Sequence, residues 1–306
     1  MGGEEGLSQL FGEVAALVTS VCWTGTSIFF TVGSRRVGSG MVNRTRLVIA
    51  VALLSLTHIL VRGQWLPAGA TPERWLWLGL SGIIGLAVGD ALFYQALVWL
   101  GPGLATLLMS LAPIFSASLG WLLLGEQLSA TEILGIAVVM AAVTLVIRDR
   151  GYVGTPETHR GRFWLGILTG VGAALGQAAG LIASKKGISG GFDPLSATLM
   201  RMLVAMIVIW IYTIGRGRLR ATVAAWRDRK AMAAITAGAT VGPFIGVWLS
   251  LIAIQNAPVG VASTLMSLAP ILVLWPARMI FGERISRMSL VGTMLAMVGV
   301  VLLILH

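Results

Sequence analysis

Charge is scarce in this chain. Only 11% of its 306 residues are Asp, Glu, Lys or Arg, against roughly 25% in an ordinary soluble domain. That excludes a surface made mostly for water. The 57% hydrophobic content and mean hydropathy of +0.89 point to lipid as the solvent. Cysteine is almost absent: Cys22 stands alone, which excludes an intramolecular disulfide and a zinc–cysteine cluster. The few histidines, His58, His159 and His306, show no metal-ligand spacing. No phosphate loop of the form GxxxxGK[ST] occurs, so ATP is not expected as an energy source. No metal and no cofactor are expected. The net charge of +10 would suggest nucleic acid in a soluble protein. Here it reads as basic loops at a membrane face, with no nucleic-acid partner.

Long apolar runs fill the rest. A spanning helix needs roughly 20 mostly apolar residues, and ten candidates lie at about 11–32, 46–61, 75–98, 103–124, 130–147, 163–184, 197–214, 231–254, 259–281 and 288–305. The first follows Glu4 and Glu5 rather than a basic region and is read as a retained helix, not a signal peptide. Assigning each Lys and Arg to its nearest loop or helix end leaves Arg62, Arg74, Lys185, Lys186 and Arg201 on one side. All the others fall on the opposite side, densest in GRGRLRATVAAWRDRK (215–230). The positive-inside rule makes that side cytoplasmic. The expected location is a multi-pass protein of the cell (inner) membrane with both termini outside the cytoplasm.

The heptad LMSLAPI occupies residues 108–114 and returns letter for letter at 265–271. Extending the match at the same spacing pairs Gly85 with Gly242, Gly89 with Gly246, Gly103 with Gly260 and Glu126 with Glu283. Near the start of each half the spacing shortens slightly, pairing Arg46 with Arg201 and Gly33 with Gly187. The chain thus divides into a first five-helix repeat (1–148), a cytoplasmic linker (149–162) and a second repeat (163–306). Five crossings are odd, so the second copy starts on the other side of the membrane and is inverted. The expected fold class is all-α: a polytopic membrane protein of ten transmembrane helices arranged as two inverted five-helix repeats, as in many secondary transporters. Small residues recur four apart, as Ser81, Gly85 and Gly89, as Gly238, Gly242 and Gly246, and as Gly172, Gly176 and Gly180. Such faces let helix backbones approach closely in lipid.

Several motifs, in order and twice over, resemble the EamA-type members of the drug/metabolite transporter superfamily. They are the Trp of CWTG (Trp23), the Arg of TRLVIA and MRMLVA (Arg46, Arg201), the proline-bearing LMSLAPI, and the GE turns of LGEQLS and FGERIS. The resemblance covers nearly the whole chain. It implies an exporter of small metabolites, such as amino-acid-like solutes, or of drugs.

Candidate substrate-binding residues follow from what is rare inside the spans. Asp90 is the only acid well inside one, where a charge costs roughly 2.5–3.5 kcal/mol and must face a cavity or a partner. Its two readings are a proton-coupling carboxylate and one satisfied by a neighbouring helix. Tyr94 lies one turn on, on the same face. Pro113 and Pro270 each remove a helix hydrogen bond and free the carbonyl four residues back, on Met109 and Met266. Ser110 and Ser267 are placed to supply a partner, so both heptads read either as packing kinks or as broken helices lining a cavity. Trp23 and Gln177 are matched residues of the two first helices, one offering a ring and the other an amide. Arg46 and Arg201 open their expected spans, either to attract an anionic group or to snorkel to headgroups. Glu126 and Glu283 read as turn residues.

The reading is a secondary-active transporter, not an enzyme. It works by alternating access, with a small-molecule substrate, the lipid bilayer and protons as partners, as monomer or homodimer. A passive facilitator or a lipid flippase on the same fold is the alternative. A lipid-processing membrane enzyme would want clustered acids or histidines at one membrane face, which this chain lacks.

Overall fold

The computed structural model describes residues 2–67, 69–124, 129–148, 162–190, 192–256, 265–266 and 268–304. Every regular element among them is a helix. In chain order these are α1 (Gly2–Val37), α2 (Ser39–Arg62), α3 (Pro72–Leu100), α4 (102–124), α5 (Ala130–Arg148), α6 (Phe163–Ile188), α7 (Pro194–Gly215), α8 (229–256), α9 (Ala269–Phe281) and α10 (Arg287–Ile304). A short helix, Leu219–Ala225, lies between α7 and α8.

Among the described residues, 7 helices are long and apolar enough to cross a membrane. They are α1, α2, α3, the Pro102–Leu119 part of α4, α6, α7 and the Arg229–Ser250 part of α8. Three stretches that the sequence marks as spans are shorter apolar helices: Ile133–Arg148, Ala269–Phe281 and Arg287–Leu302. Residues 257–264, over which the ninth expected span begins, lie outside the described residues.

Helix starts follow local chemistry. Thr71, Asp193 and Asp228 cap α3, α7 and α8 by accepting the backbone N–H of Arg74, Ser196 and Ala231, which satisfies an otherwise orphaned donor. Proline at the first turn of α3, α4 and α7 suits a position whose N–H has no helical partner. Gly38 and Gly63, at φ 89° and 69°, close the turns on either side of α2 in a conformation costly for other residues. Polar side chains within α1 are satisfied inside the helix: Thr19, Thr24, Thr26, Ser27 and Thr31 each donate to a carbonyl one turn back. That is the form in which lipid tolerates hydroxyls.

Packing partners are exchanged between the copies. α3 packs on α6 and its matched helix α8 packs on α1, while α2 packs on α7 and α5 on α10. Each of these contacts maps onto another, or onto itself, when the two repeats are interchanged. Glycine sets the closest of them. A methyl group at Gly180 would lie 3.0 Å from the Gly85 Cα, and one at Gly176 would lie 3.0 Å from the Gly89 Cα. In the other copy, Gly242 and Gly246 face Thr26 and Cys22 instead. The α1–α8 contact therefore has side chains on one side where α3–α6 has glycine on both.

Both copies also carry a π-helical stretch at the matched place, Gly82–Gly89 in α3 and Thr240–Gly246 in α8. In α8 it contains Pro243, which lacks a donor. In α3 the Asp90 N–H reaches back five residues to the Gly85 carbonyl. Such bulges are rare and are found frequently at functional sites.

Gly180→Leu is expected to push α3 and α6 apart and to lower stability by about 1–3 kcal/mol or more, as overpacking does. Gly40→Ala, where a Cβ meets nothing within 4 Å, is expected to leave stability unchanged or slightly raised. Thermal melts of the detergent-purified variants check both; equal behaviour of the two would refute the close-packing account.

Candidate functional site

The π-helical stretch of α3 creates a polar site in an apolar setting. Because the Asp90 N–H is taken by the Gly85 carbonyl, the Leu86 carbonyl is left without that helical donor. Arg46 Nη2 donates to it at 3.0 Å, and Asn43 Nδ2 donates to the neighbouring Ala87 carbonyl at 2.9 Å. Asn43 and Arg46 lie three apart on one face of α2, and Arg46 Nε donates to Asn43 Oδ1 at 2.9 Å. Arg46 also forms a buried ion pair with Asp90. Gln177 of α6 donates from Nε2 to Asp90 Oδ1 at 2.7 Å. The Arg46 guanidinium sits 5.2 Å over the Tyr94 ring, close enough for a cation–π contact. Phe30 of α1 packs edge-on against the same ring at 5.0 Å.

Three helices, α2, α3 and α6, from both repeats thus meet at one carboxylate. Arg46 is 2% exposed and Asp90 7%, so each needs the other: a buried charge deprived of its partner typically costs 3–5 kcal/mol. Arg201 enters from α7. Its carbonyl is pressed against Gly82, its guanidinium lies beside Gly85, and its charge acts on Asp90.

Asp90, Tyr94 and Gln177 therefore come together, with Arg46 joining them. The expectation that the two arginines open their spans and snorkel is corrected. α2 starts at Ser39 and α7 at Pro194, so both arginines sit about two turns inside their helices, and Arg46 is turned inward onto Asp90. Trp23 is not part of the cluster; it lies against Gly246 across the α1–α8 contact, as Gln177 lies against Gly89 across α3–α6.

The first heptad is a broken helix of a particular kind. Met109–Leu111 form a single 3-10 turn, and the Ala112 N–H takes the Met109 carbonyl. The carbonyl that Pro113 releases is thus satisfied by tightening the helix, not left for a ligand. Ser110 is buried, and the turn packs on α6. Met266 is buried against Ala15, Ala16 and Ala253, and Pro270 is buried in the short turn Ala269–Leu272 that packs on α1. Ser267 lies outside the described residues. Neither heptad reaches the Asp90 cluster through a hydrogen bond among the described residues.

Two features lay beyond sequence reasoning. Asn43 had no signal beyond being polar inside the helix that carries Arg46. Glu283 was read as a turn residue, yet it is buried and accepts the Gly103 N–H at 3.2 Å. It thereby places a carboxylate of the second repeat at the N-terminus of α4, where the helix dipole favours it. Its matched residue, Glu126, lies outside the described residues.

Ion pairs between the repeats close off the helix ends. Arg62 pairs with Asp193 at 2.6 Å, and Ser196 donates to Asp193 while its Oγ lies 3.0 Å from His58 Nε2. Burial raises the Asp193 pKa, but the Ser196 hydrogen bonds and Arg62 outweigh it and hold the carboxyl below its ordinary value. Elsewhere, Arg36 of α1 pairs with Asp228 before α8 at 2.9 Å. That bond and the Ala231 N–H hold Asp228 below the usual carboxylate range.

Arg46→Met should destabilise the protein by about 3–5 kcal/mol, because Asp90 is left charged and unpaired. Adding Asp90→Asn should restore much of that loss. A double-mutant cycle on melting temperature measures the coupling, and additive losses would show that the pair is not the organising contact.

The EamA-like transporter family matches residues 10–148 and again 164–305. A Sinorhizobium protein described as an uncharacterized transporter is 29% identical over 134 residues, which is 43% of this chain and 92% of that protein. An uncharacterized membrane protein of Saccharomyces cerevisiae is 35% identical over 86 residues, 28% of this chain; the match spans only 20% of the yeast protein's length. A solved crystal structure superposes with a TM-score of 0.63 at 18% identity, covering 97% of this chain and 96% of that one, which speaks to fold alone. With both halves matched and the helical fold shared, this chain belongs to the EamA-like transporter family, within the drug/metabolite transporter superfamily.

Proposed function

We propose that the protein is a secondary-active transporter that exports small metabolites or drugs across the cell membrane by alternating access, its two five-helix repeats inverted in the bilayer. The observation that supports this best is the Asp90–Arg46–Gln177 cluster. It places an ion pair of the first repeat, reached by a hydrogen bond from Gln177 of the second, deep in helices long enough to span a membrane, where ionisable residues usually mark a substrate or ion path. The inter-repeat ion pairs supply the latches of such a cycle. Arg36–Asp228 and Arg62–Asp193 each tie one repeat to the other at a different helix end. Opening one while the other holds exposes the interior to one side at a time.

Proton coupling belongs to the same proposal. A proton arriving on Asp90 weakens its hold on Arg46 and Gln177 together, which loosens α2 and α6 from α3 in one step.

Proteoliposomes with an imposed pH gradient test the coupling, using a panel of radiolabelled amino acids and ethidium as solutes. Wild type should move at least one of them uphill, and Asp90→Asn should keep downhill exchange but lose the dependence on the gradient. Unchanged uphill transport by Asp90→Asn would overturn proton coupling. Wild-type flux indifferent to every gradient would favour a passive facilitator.

Orientation has its own test. In a Cys22→Ser background, Trp65→Cys should react with an impermeant maleimide in intact cells. Arg220→Cys should react only after the membrane is permeabilised. The reverse pattern would place the termini in the cytoplasm.

A further inference from the structure

The two arginines matched by the repeat have unequal surroundings. Arg46 is held by Asn43, the Leu86 carbonyl, Asp90 and the face of Tyr94. At the matched places around Arg201 the sequence has Thr198 for Asn43, Val247 for Asp90 and Leu251 for Tyr94. The arginine is kept, while the carboxylate, the amide and the aromatic ring around it are gone. Among the described residues, Arg201 makes no hydrogen bond and no ion pair through its side chain, and its Nε is buried without a partner. Both oxygens of Asp90 are already engaged by Arg46 and Gln177, so Asp90 gives Arg201 only longer-range attraction.

Two guanidiniums thus share one carboxylate, leaving one positive charge in excess inside the helix bundle. An uncompensated cation there is costly. A guanidinium, with five donors in a planar fork, is well shaped for a bidentate anion. Arg201 is partly rather than fully buried, and the residue its Nη2 approaches on α3 is Gly85, which has no side chain to meet it.

We propose that Arg201, between α3, α6 and α7, binds an anionic group of the transported solute, a carboxylate or a phosphoryl, and so selects small organic anions. This rests on the transporter reading above and adds a substrate class to it. Arg46 is the structural member of the pair, neutralised within the protein. Arg201 is the binding member, neutralised by what it carries.

Binding is measured without transport, on the full chain in nanodiscs at fixed ionic strength, by thermal shift and calorimetry. The probes are benzoate, phenyl phosphate, benzamide and benzamidinium. Benzoate or phenyl phosphate should raise the melting temperature with concentration, and whichever does so identifies carboxylate or phosphoryl as the preferred group. The neutral amide and the cation should not. Arg201→Met should weaken anion binding at least about tenfold, since a charge-assisted hydrogen bond contributes roughly 1.5–3 kcal/mol. Arg201→Lys should retain part of the affinity. Without ligand, Arg201→Met should melt no lower than wild type, because it removes a charge that has no partner.

Equal response to benzoate and benzamide, or wild-type anion binding by Arg201→Met, would overturn the proposal. A lowered melting temperature of unliganded Arg201→Met would do the same, because it would reveal a structural role. If no anion binds while proteoliposomes carry neutral or cationic solutes, the anion site falls and the transporter reading stands. If anions bind as expected but no solute moves in proteoliposomes, the site stands and the transporter reading falls.

Discussion

The fold depends on one constraint: inside lipid there is no water to satisfy a polar group. The Arg46–Asp90 pair is where that constraint is hardest to meet. Two charges have been placed in a bundle of apolar helices, and every neighbouring feature helps to accommodate them. The π-helical stretch of α3 frees the Leu86 carbonyl for Arg46. Asn43 fixes the guanidinium from its own helix and ties it to the Ala87 carbonyl. Gln177 brings the second repeat to the remaining carboxylate oxygen. Close glycine contacts between α3 and α6 are what allow a short amide side chain to span the gap.

Duplication made the frame and divergence made the site. Interchanging the repeats maps the helix pairings onto one another, down to the matched π-helical stretches of α3 and α8. The chemistry does not follow. Asp90 faces Gln177 in one half, whereas the matched residues of the other are Val247 and Trp23. Glycine-on-glycine packing in α3–α6 becomes glycine against Thr26 and Cys22 in α1–α8. A symmetric scaffold thus carries an asymmetric interior.

Much of this is legible along the chain. The repeat, the small-residue faces, the isolation of Asp90 and its place beside Tyr94 all follow from residue types and spacing, because helical periodicity is local. Partnerships across the fold do not. Arg46 and Arg201 look like residues at helix ends because apolar runs blur where a helix begins; the true starts are set by the Gly38 turn and by the Asp193 cap with Pro194. Pro113 predicts a break in α4, but the Met109 carbonyl finds its donor through a 3-10 turn, a choice between local geometries that composition does not resolve. Glu283 reaches Gly103 across the repeats, a contact no spacing rule contains.

By itself the sequence determined that the chain lives in a membrane, that it is one unit written twice, and that charge inside it is rare enough to matter. Those properties rest on composition and periodicity, which act residue by residue along a helix. Only the tertiary structure decided which charge meets which. Arg46 and Asp90 are 44 residues apart and Gln177 is 87 residues from Asp90, so their meeting depends on how helices from the two repeats pack. The same packing leaves two chemically identical arginines unlike, one enclosed by acceptors and the other open, because hydrogen bonding depends on neighbours in space and not in sequence.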